Sequence, residues 1–272
     1  MNDATVAITR RPGEDLTRVE LTHLPRVPID PDRAEEQHAG YRETIRGLGL
    51  EVIDLPALAG FSDAVFVEDG LLALPEAFVL CRPGAASRAG EVDSLAAALP
   101  RDRPILRLKA PATLDGGDVL RIGREIWVGL SGRTNAAAIA QLSDLLADFD
   151  YRVAPATLTG ALHLKTAVTA PDPETVLVNP AWTDASLFRR RVIEVPAHEP
   201  FAANCLSLAG QVFVQSTHRA TAERLDAAGF RAKLIDVSEL AKAEAGLTCM
   251  SVIVPASEWM LRPDGRRTWQ GT

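Results

Sequence analysis

Cys249 stands in Ala245-Gly246-Leu247-Thr248-Cys249-Met250-Ser251, between a glycine and the apolar run Val252-Ile253-Val254. A nucleophile is well held at the end of a short strand, after a glycine that lets the backbone turn and a substrate approach. A packed structural thiol is the competing reading, because free cysteine is among the most buried residue types. His163, in Leu162-His163-Leu164-Lys165-Thr166, offers a base and an acid whose ordinary pKa is near neutral. Asp115, in Thr113-Leu114-Asp115-Gly116-Gly117-Asp118, offers a carboxylate that can fix the imidazole tautomer. Asp63, Glu68 and Asp69 put three acids within seven residues. Read as a strand, that stretch turns Asp63 and Asp69 to one face and Glu68 to the other. Arg88 and Arg133 can each grip a carboxylate with two parallel bonds. A thiol, an imidazole and clustered acids suit attack on a planar cationic carbon such as a guanidinium. The acids hold the cation, and the arginines hold the carboxylate of an amino acid. The bland alternatives are a solvated acidic turn and a structural histidine.

The elements that must position these residues recur along the chain. Phe66-Val67-Glu68-Asp69 leads into Leu71 to Leu74, a turn, Ala77 to Leu80, then Arg82. Gly116-Gly117-Asp118 leads into Val119-Leu120, a turn at Gly123-Arg124, Ile126 to Val128, then Arg133. Ala202-Ala203-Asn204 leads into Leu206 to Leu208, a turn, Val212 to Val214, then Arg219. His163 opens a looser copy and Cys249 a truncated one. The opening residues Asp69, Asp118, His163, Asn204 and Cys249 stand 49, 45, 41 and 45 residues apart. Helical stretches lie between copies, among them Ala136 to Phe149 and Ala220 to Ala228. Before the first copy, Val6 to Thr9 reads as a strand, Pro31 to Leu48 as a helix and Glu51 to Leu55 as a strand. A period of about 45 residues mixing strands with a helix fits one small unit repeated about an axis. Five copies can close into a ring without an exposed first edge, with the opening polar residues turned into one central pocket. Chance self-similarity in an alternating α+β chain is the alternative.

Length and composition bound the reading. The 272 residues suffice for one large domain or two small ones. A net charge of −7 argues against a general nucleic-acid surface. No run of about 18 apolar residues predicts a membrane span, and the first residues do not read as a signal peptide. The three cysteines, Cys81, Cys205 and Cys249, fit no zinc spacing and point to reduced thiols in a cytoplasm.

In combination, these stretches resemble the dimethylarginine dimethylaminohydrolase family of the amidinotransferase-like, or pentein, superfamily. The resemblance runs from Ile8 to about Val254. It rests on Phe66-Val67-Glu68-Asp69, Arg82-Pro83-Gly84-Ala85 followed by Ser87-Arg88, and Leu114-Asp115-Gly116-Gly117-Asp118-Val119-Leu120. It continues in Arg133-Thr134-Asn135, Leu162-His163-Leu164-Lys165, Ala202-Ala203-Asn204-Cys205 and Thr248-Cys249-Met250-Ser251. It implies an α/β fold, a five-bladed α/β propeller of ββαβ repeats with pseudo-fivefold symmetry. It implies hydrolysis of Nω-methylated arginines to citrulline and a methylamine, without a cofactor or a metal. By the same resemblance Cys249 is the nucleophile, His163 the general acid and base, and Asp115 the acid that orients it. Asp63 and Asp69 bind the guanidinium, with Glu68 as the neighbouring supporting acid. Arg88 and Arg133 bind the α-carboxylate, and the backbone carbonyl of Leu21 meets the α-amino group. Glu244 stands where related chains often carry an aspartate before the nucleophile, one methylene shorter, at the same amino group.

Residues 1–257 are expected to form one catalytic domain, and 258–272 a tail, disordered or packed, that carries Arg266, Arg267 and Trp269. The expected partner is a small methylated arginine, with neither nucleic acid nor membrane; a homodimer remains open. An arginine deiminase-type enzyme and a non-catalytic binding protein on the same ring are the rival readings.

Overall fold

The computed structural model describes residues 4–257, 259–261 and 267–269. Five sheets of three strands carry the fold among them. The first holds Leu71–Ala73, Phe78–Leu80 and Ile105–Arg107, with helix Glu91–Ala98 crossing between the last two. The second holds Val119–Ile122, Glu125–Gly129 and Arg152–Ala156 with helix Ala136–Leu146. The third holds Val168–Asp172, Thr175–Val178 and Arg191–Glu194, where a 3-10 turn at Ala185–Phe188 replaces the helix. The fourth holds Leu206–Leu208, Gln211–Gln215 and Ala232–Ile235 with helix Arg219–Ala227. In each, the first two strands are antiparallel and the third returns parallel to the second.

The fifth sheet joins segments from opposite ends of the sequence. Ser251–Pro255 pairs antiparallel with Ala4–Arg10, which runs parallel to Glu51–Leu55 after helix Pro31–Gly47. The copy opened by Cys249 is thus truncated in sequence only: the N-terminal strand and helix complete its ββαβ unit. Helix Pro31–Gly47 starts where the Asp30 carboxylate accepts from the Asp32 and Arg33 amides, with proline in its first turn.

Closure of the ring is visible in the packing. Side chains alternate across a strand, so a sheet buried on both faces feeds two different cores. Phe78 and Leu80 pack with Ile8, Val252 and Val254 of the fifth sheet, while Val79 and Cys81 between and beside them pack with Val119, Ile126 and Val128 of the second. Trp127 faces the other way, onto Val176 and Val178 of the third sheet. Leu177 then meets Val212 and Val214 of the fourth, and Phe213 meets Ala7 and Tyr41 of the fifth. Each of the five apolar cores joins adjacent sheets and the series returns to its start, which makes the arrangement a five-bladed α/β propeller. Runs such as Phe78-Val79-Leu80 lack polar alternation because neither face meets water.

The polar residues that open the blades form a second ring, of hydrogen bonds, near the axis. Asp69 Oδ1 accepts from the Gly117 amide at 3.0 Å, and Asp118 Oδ1 accepts from the Leu164 amide at 2.9 Å. The Asn204 amide group donates to the Lys165 carbonyl at 3.1 Å and its oxygen accepts from the Thr248 amide at 3.1 Å. The Glu68 amide donates to the Cys249 carbonyl at 3.2 Å. Each opening side chain or its neighbour thereby satisfies backbone groups at the mouth of an adjoining blade, which is why a polar residue recurs there.

One expectation changes. The stretch from Asp63 to Asp69 is not a strand: residues 62–65 form a turn and Val67–Gly70 a 3-10 helix. Even spacing therefore says nothing about shared faces, and the acids converge through curvature of the backbone instead. In the tail, Trp259–Leu261 and Arg267–Trp269 pair as an antiparallel hairpin, and Arg266 lies outside the described residues. No helix among the described residues is long and apolar enough to cross a membrane.

Candidate active site

Cys249 sits in the turn just before strand Ser251–Pro255. It is half-buried, and its Sγ accepts a weak bond from the Gly246 amide at 3.4 Å. Gly246 is needed for a close approach rather than for a turn of unusual φ: a Cβ there would lie 2.3 Å from Cγ of Asn204. His163 caps the short helix Leu164–Ala167 and is 5% exposed. Its Nε2 is 3.1 Å from Asp115 Oδ2, and its Nδ1 is 3.8 Å from Asp69 Oδ1. Asp115, fully buried, is held in turn by the Gly84 amide at 2.9 Å. Gly117 lets the histidine in, because a Cβ there would lie 2.6 Å from Nδ1.

Burial alone would lower the pKa of His163, but Asp69, the Asp115 bond and Asp118 outweigh it and raise it to about 9. The imidazole is a cation at neutral pH. Burial disfavours the carboxylate of Asp69 as well, yet His163 and Arg88 bring its pKa down to about 2. The thiol of Cys249 is pushed well above its ordinary range, first by burial and then by Glu68 and Asp69. That direction favours the protonated sulfur, and a further positive charge beside it would favour the thiolate.

A narrow cavity of about 20 Å³, close to the space of one water, is lined by Cys249, His163, Asp63, Asp69, Arg88, Arg133, Glu20 and Glu244, among others. The sequence-derived residues are therefore brought together, apart from Glu68, Leu21 and Asp115. Glu68 is turned to Lys165, at 2.5 Å, and to the Thr248 hydroxyl, at 2.7 Å. It lines a larger cavity of about 220 Å³ that contains none of Cys249, His163 and Arg133. Leu21 packs half-buried on the core between the fourth and fifth sheets. Asp115 stands behind the histidine.

Charged groups inside the cavity are paired with one another. Arg88 Nη1 is 2.5 Å from Asp69 Oδ2, its Nε meets both oxygens of Glu91, and its Nη2 reaches Glu91 and the carbonyls of Asp63 and Phe66. Asp63 Oδ2 accepts from Ser62 Oγ at 2.9 Å and the Glu20 amide at 3.3 Å. Arg133 Nη2 lies 3.4 Å from Glu20 Oε2. Glu244, in left-handed backbone at φ 60°, turns Oε1 onto three successive amides, those of Thr22, His23 and Leu24, at 3.0, 2.6 and 2.6 Å. That single oxygen fastens the segment before the first helix over the cavity. Glu20, Lys165 and Thr248 escaped sequence reasoning; only the position of Lys165, two after His163, hinted at the axis.

Asp69→Asn is expected to cost about 2–5 kcal/mol of folding stability, because it leaves a buried guanidinium without one of its charge partners. It also brings the His163 pKa down from about 9, since Asp69 is the largest influence raising it. Chemical denaturation and an NMR titration of the His163 ring check both; an unchanged titration removes Asp69 from the field of the imidazole.

No protein-family model matches the chain. The N(G),N(G)-dimethylarginine dimethylaminohydrolase of Streptomyces coelicolor is 36% identical over 248 residues, covering 90% of this chain and 95% of that one. The Pseudomonas aeruginosa protein of the same name is 30% identical over 249 residues, covering 90% and 97%. A solved structure of the Pseudomonas aeruginosa enzyme, a cysteine-to-serine mutant complexed with citrulline, superposes with a TM-score of 0.87 over 92% of this chain and 98% of that one, at 29% identity. The N-terminal domain of a cyanobacterial arginine dihydrolase, 22% identical, shares the fold with a TM-score of 0.83 over 94% and 99% of the two chains. With 36% identity running through nine-tenths of its length, the chain belongs to the dimethylarginine dimethylaminohydrolase family.

Proposed function

We propose that the protein hydrolyses Nω-methylated arginines, asymmetric dimethylarginine and monomethylarginine, to citrulline and a methylamine. The observation that carries this reading is the convergence of Cys249 and His163 on one cavity with the carboxylates of Asp63 and Asp69 and the guanidinium of Arg133. The substrate cation lies between Asp63 and Asp69, and its positive charge lowers the pKa of the adjacent thiol. The thiol of Cys249 gives its proton to solvent, and the thiolate adds to the guanidinium carbon. His163, cationic at neutral pH and fixed by Asp115, gives its proton to the departing methylamine. A covalent thiouronium remains on sulfur. Water then adds to that carbon as His163 takes a proton from it, and collapse of the adduct frees citrulline and the thiol. No step calls for a cofactor. Arg133 takes the α-carboxylate. Arg88 joins it only by leaving the buried Asp69, whereas Arg133 parts only from the more exposed Glu20.

Residues 1–257 act as one catalytic unit in this reading. The cytoplasm is its compartment, supported by three free cysteines, two of them buried. Citrulline assayed after incubation with asymmetric dimethylarginine, monomethylarginine and arginine is the test. Turnover of the methylated compounds is expected. Citrulline from arginine alone favours a deiminase, and none from any of the three favours a binding protein.

A further inference from the structure

Glu20, in the segment before the first helix (the flap), stands beside Arg133 where a ligand carboxylate would stand. Its Oε2 is 3.4 Å from Arg133 Nη2, its Oε1 accepts from the Ser87 hydroxyl, and its amide donates to Asp63 Oδ2 at 3.3 Å. It lines the cavity with Cys249 and His163, and the cavity is too small to admit an amino acid as it stands. We propose that Glu20 is an internal competitor, whose carboxylate occupies the arginine subsite in the empty enzyme and is exchanged for the α-carboxylate of the incoming amino acid. The proposal rests on the reading of Arg133 given above.

The physical balance favours an exchange. The Glu20 side chain is 43% exposed, whereas that of Arg133 is 13% exposed. An arginine so enclosed is more favourable with an anion beside it. A half-exposed glutamate at 3.4 Å supplies that anion weakly and returns to water at little cost. Asp115 Oδ2, 3.9 Å from Arg133 Nη1, stays beside the guanidinium while the exchange takes place. The flap does not leave with it. Glu244 Oε1 holds the amides of residues 22–24, so a local swing of Glu20 opens the subsite while the segment stays tethered. The consequence is a smaller net gain from the carboxylate of the incoming amino acid. A guanidine that brings its own carboxylate replaces Glu20 on Arg133; one without a carboxylate leaves Glu20 in place and gains nothing there.

The test compares two ligands that differ only in the carboxylate: monomethylarginine and its decarboxylated counterpart, monomethylated agmatine. Calorimetric Kd values are measured in the Cys249→Ser protein, which prevents turnover, with and without Glu20→Gln. Glu20→Gln is expected to tighten monomethylarginine about twofold to fivefold, the scale of one exposed ion pair, and to leave the decarboxylated ligand unchanged. Glu20→Ala, which also frees Ser87, is expected to tighten the amino acid at least as much. Weaker binding of the amino acid makes Glu20 a partner of its ammonium group and overturns the proposal, as does an equal change for both ligands. Failure of monomethylarginine to bind any of the proteins overturns the substrate reading together with it, a result distinct from intact binding that ignores Glu20.

Discussion

Cys249→Ser leaves a folded protein whose citrulline production falls by at least about 10⁴-fold. The loss follows from the chemistry of the attacking atom. A serine hydroxyl ionises far above a thiol, and the site already pushes even the thiol upward through burial, Glu68 and Asp69. The cation that enables the thiolate cannot bring a hydroxyl within reach of neutral pH. Stability should change little, because Sγ makes one weak contact, to the Gly246 amide at 3.4 Å. The turn also keeps the Cys249 amide bond to the Gly246 carbonyl. Circular dichroism, thermal unfolding and ligand calorimetry check the fold and the pocket, and a citrulline assay checks the chemistry. Turnover within about 100-fold of the parent protein would end the covalent route, for a general-base mechanism survives loss of sulfur.

The repeat was readable in the sequence because packing and hydrogen bonding both impose it. Strands buried on two faces must be apolar throughout, as at Phe78-Val79-Leu80, and a polar side chain must follow wherever a blade mouth leaves backbone amides open. Asp69, Asp118 and Asn204 meet that need, and in the proposed reaction His163 and Cys249 use the same position for chemistry. The closing strand was not readable as part of the repeat. Ala4–Arg10 belongs to the fifth blade only because Ser251–Pro255 pairs with it, a contact between distant segments that no local pattern encodes.

Within the site, residue types were legible and their pairing was not. Asp63, Asp69 and Arg88 were read as three ligands for a substrate. Buried charges must neutralise one another, so Arg88 closes on Asp69 and Glu91, and Glu68 on Lys165. Glu20 was passed over because its neighbour Leu21 carried the resemblance, while nothing in the sequence says that residue 133 comes within 3.4 Å of residue 20. Distance along the chain hides electrostatics more completely than it hides packing, since a carboxylate carries no periodic signature.

His163→Gly slows both halves of the proposed reaction, by about 10²–10⁴-fold in kcat. In the proposed reaction the imidazole is both the acid that protonates the departing amine and the base that activates water. Removing it exposes the second role most clearly: once the adduct forms, nothing near its carbon takes the proton from water. Mass spectrometry should then find protein carrying the substrate less its amine, and added imidazole should restore part of the rate by entering the space the side chain leaves. Unchanged turnover with no trapped adduct removes His163 from the chemistry. The same variant reports on stability, and the sign is fixed by the direction of the shift. The folded pKa is raised from 6.5 to about 9, so protonated His163 stabilises the fold fully below about pH 6.5 and this contribution is lost as pH rises through about 9. A shift of that size corresponds to about 3 kcal/mol. The parent protein should therefore exceed the variant in stability most at pH 6 and least at pH 9, because Asp69, Asp115 and Asp118 lose a cation only where the parent still carries one. A gap that widens with pH would mean that the buried imidazole is neutral, and the acid role assigned to it would fall with the cation.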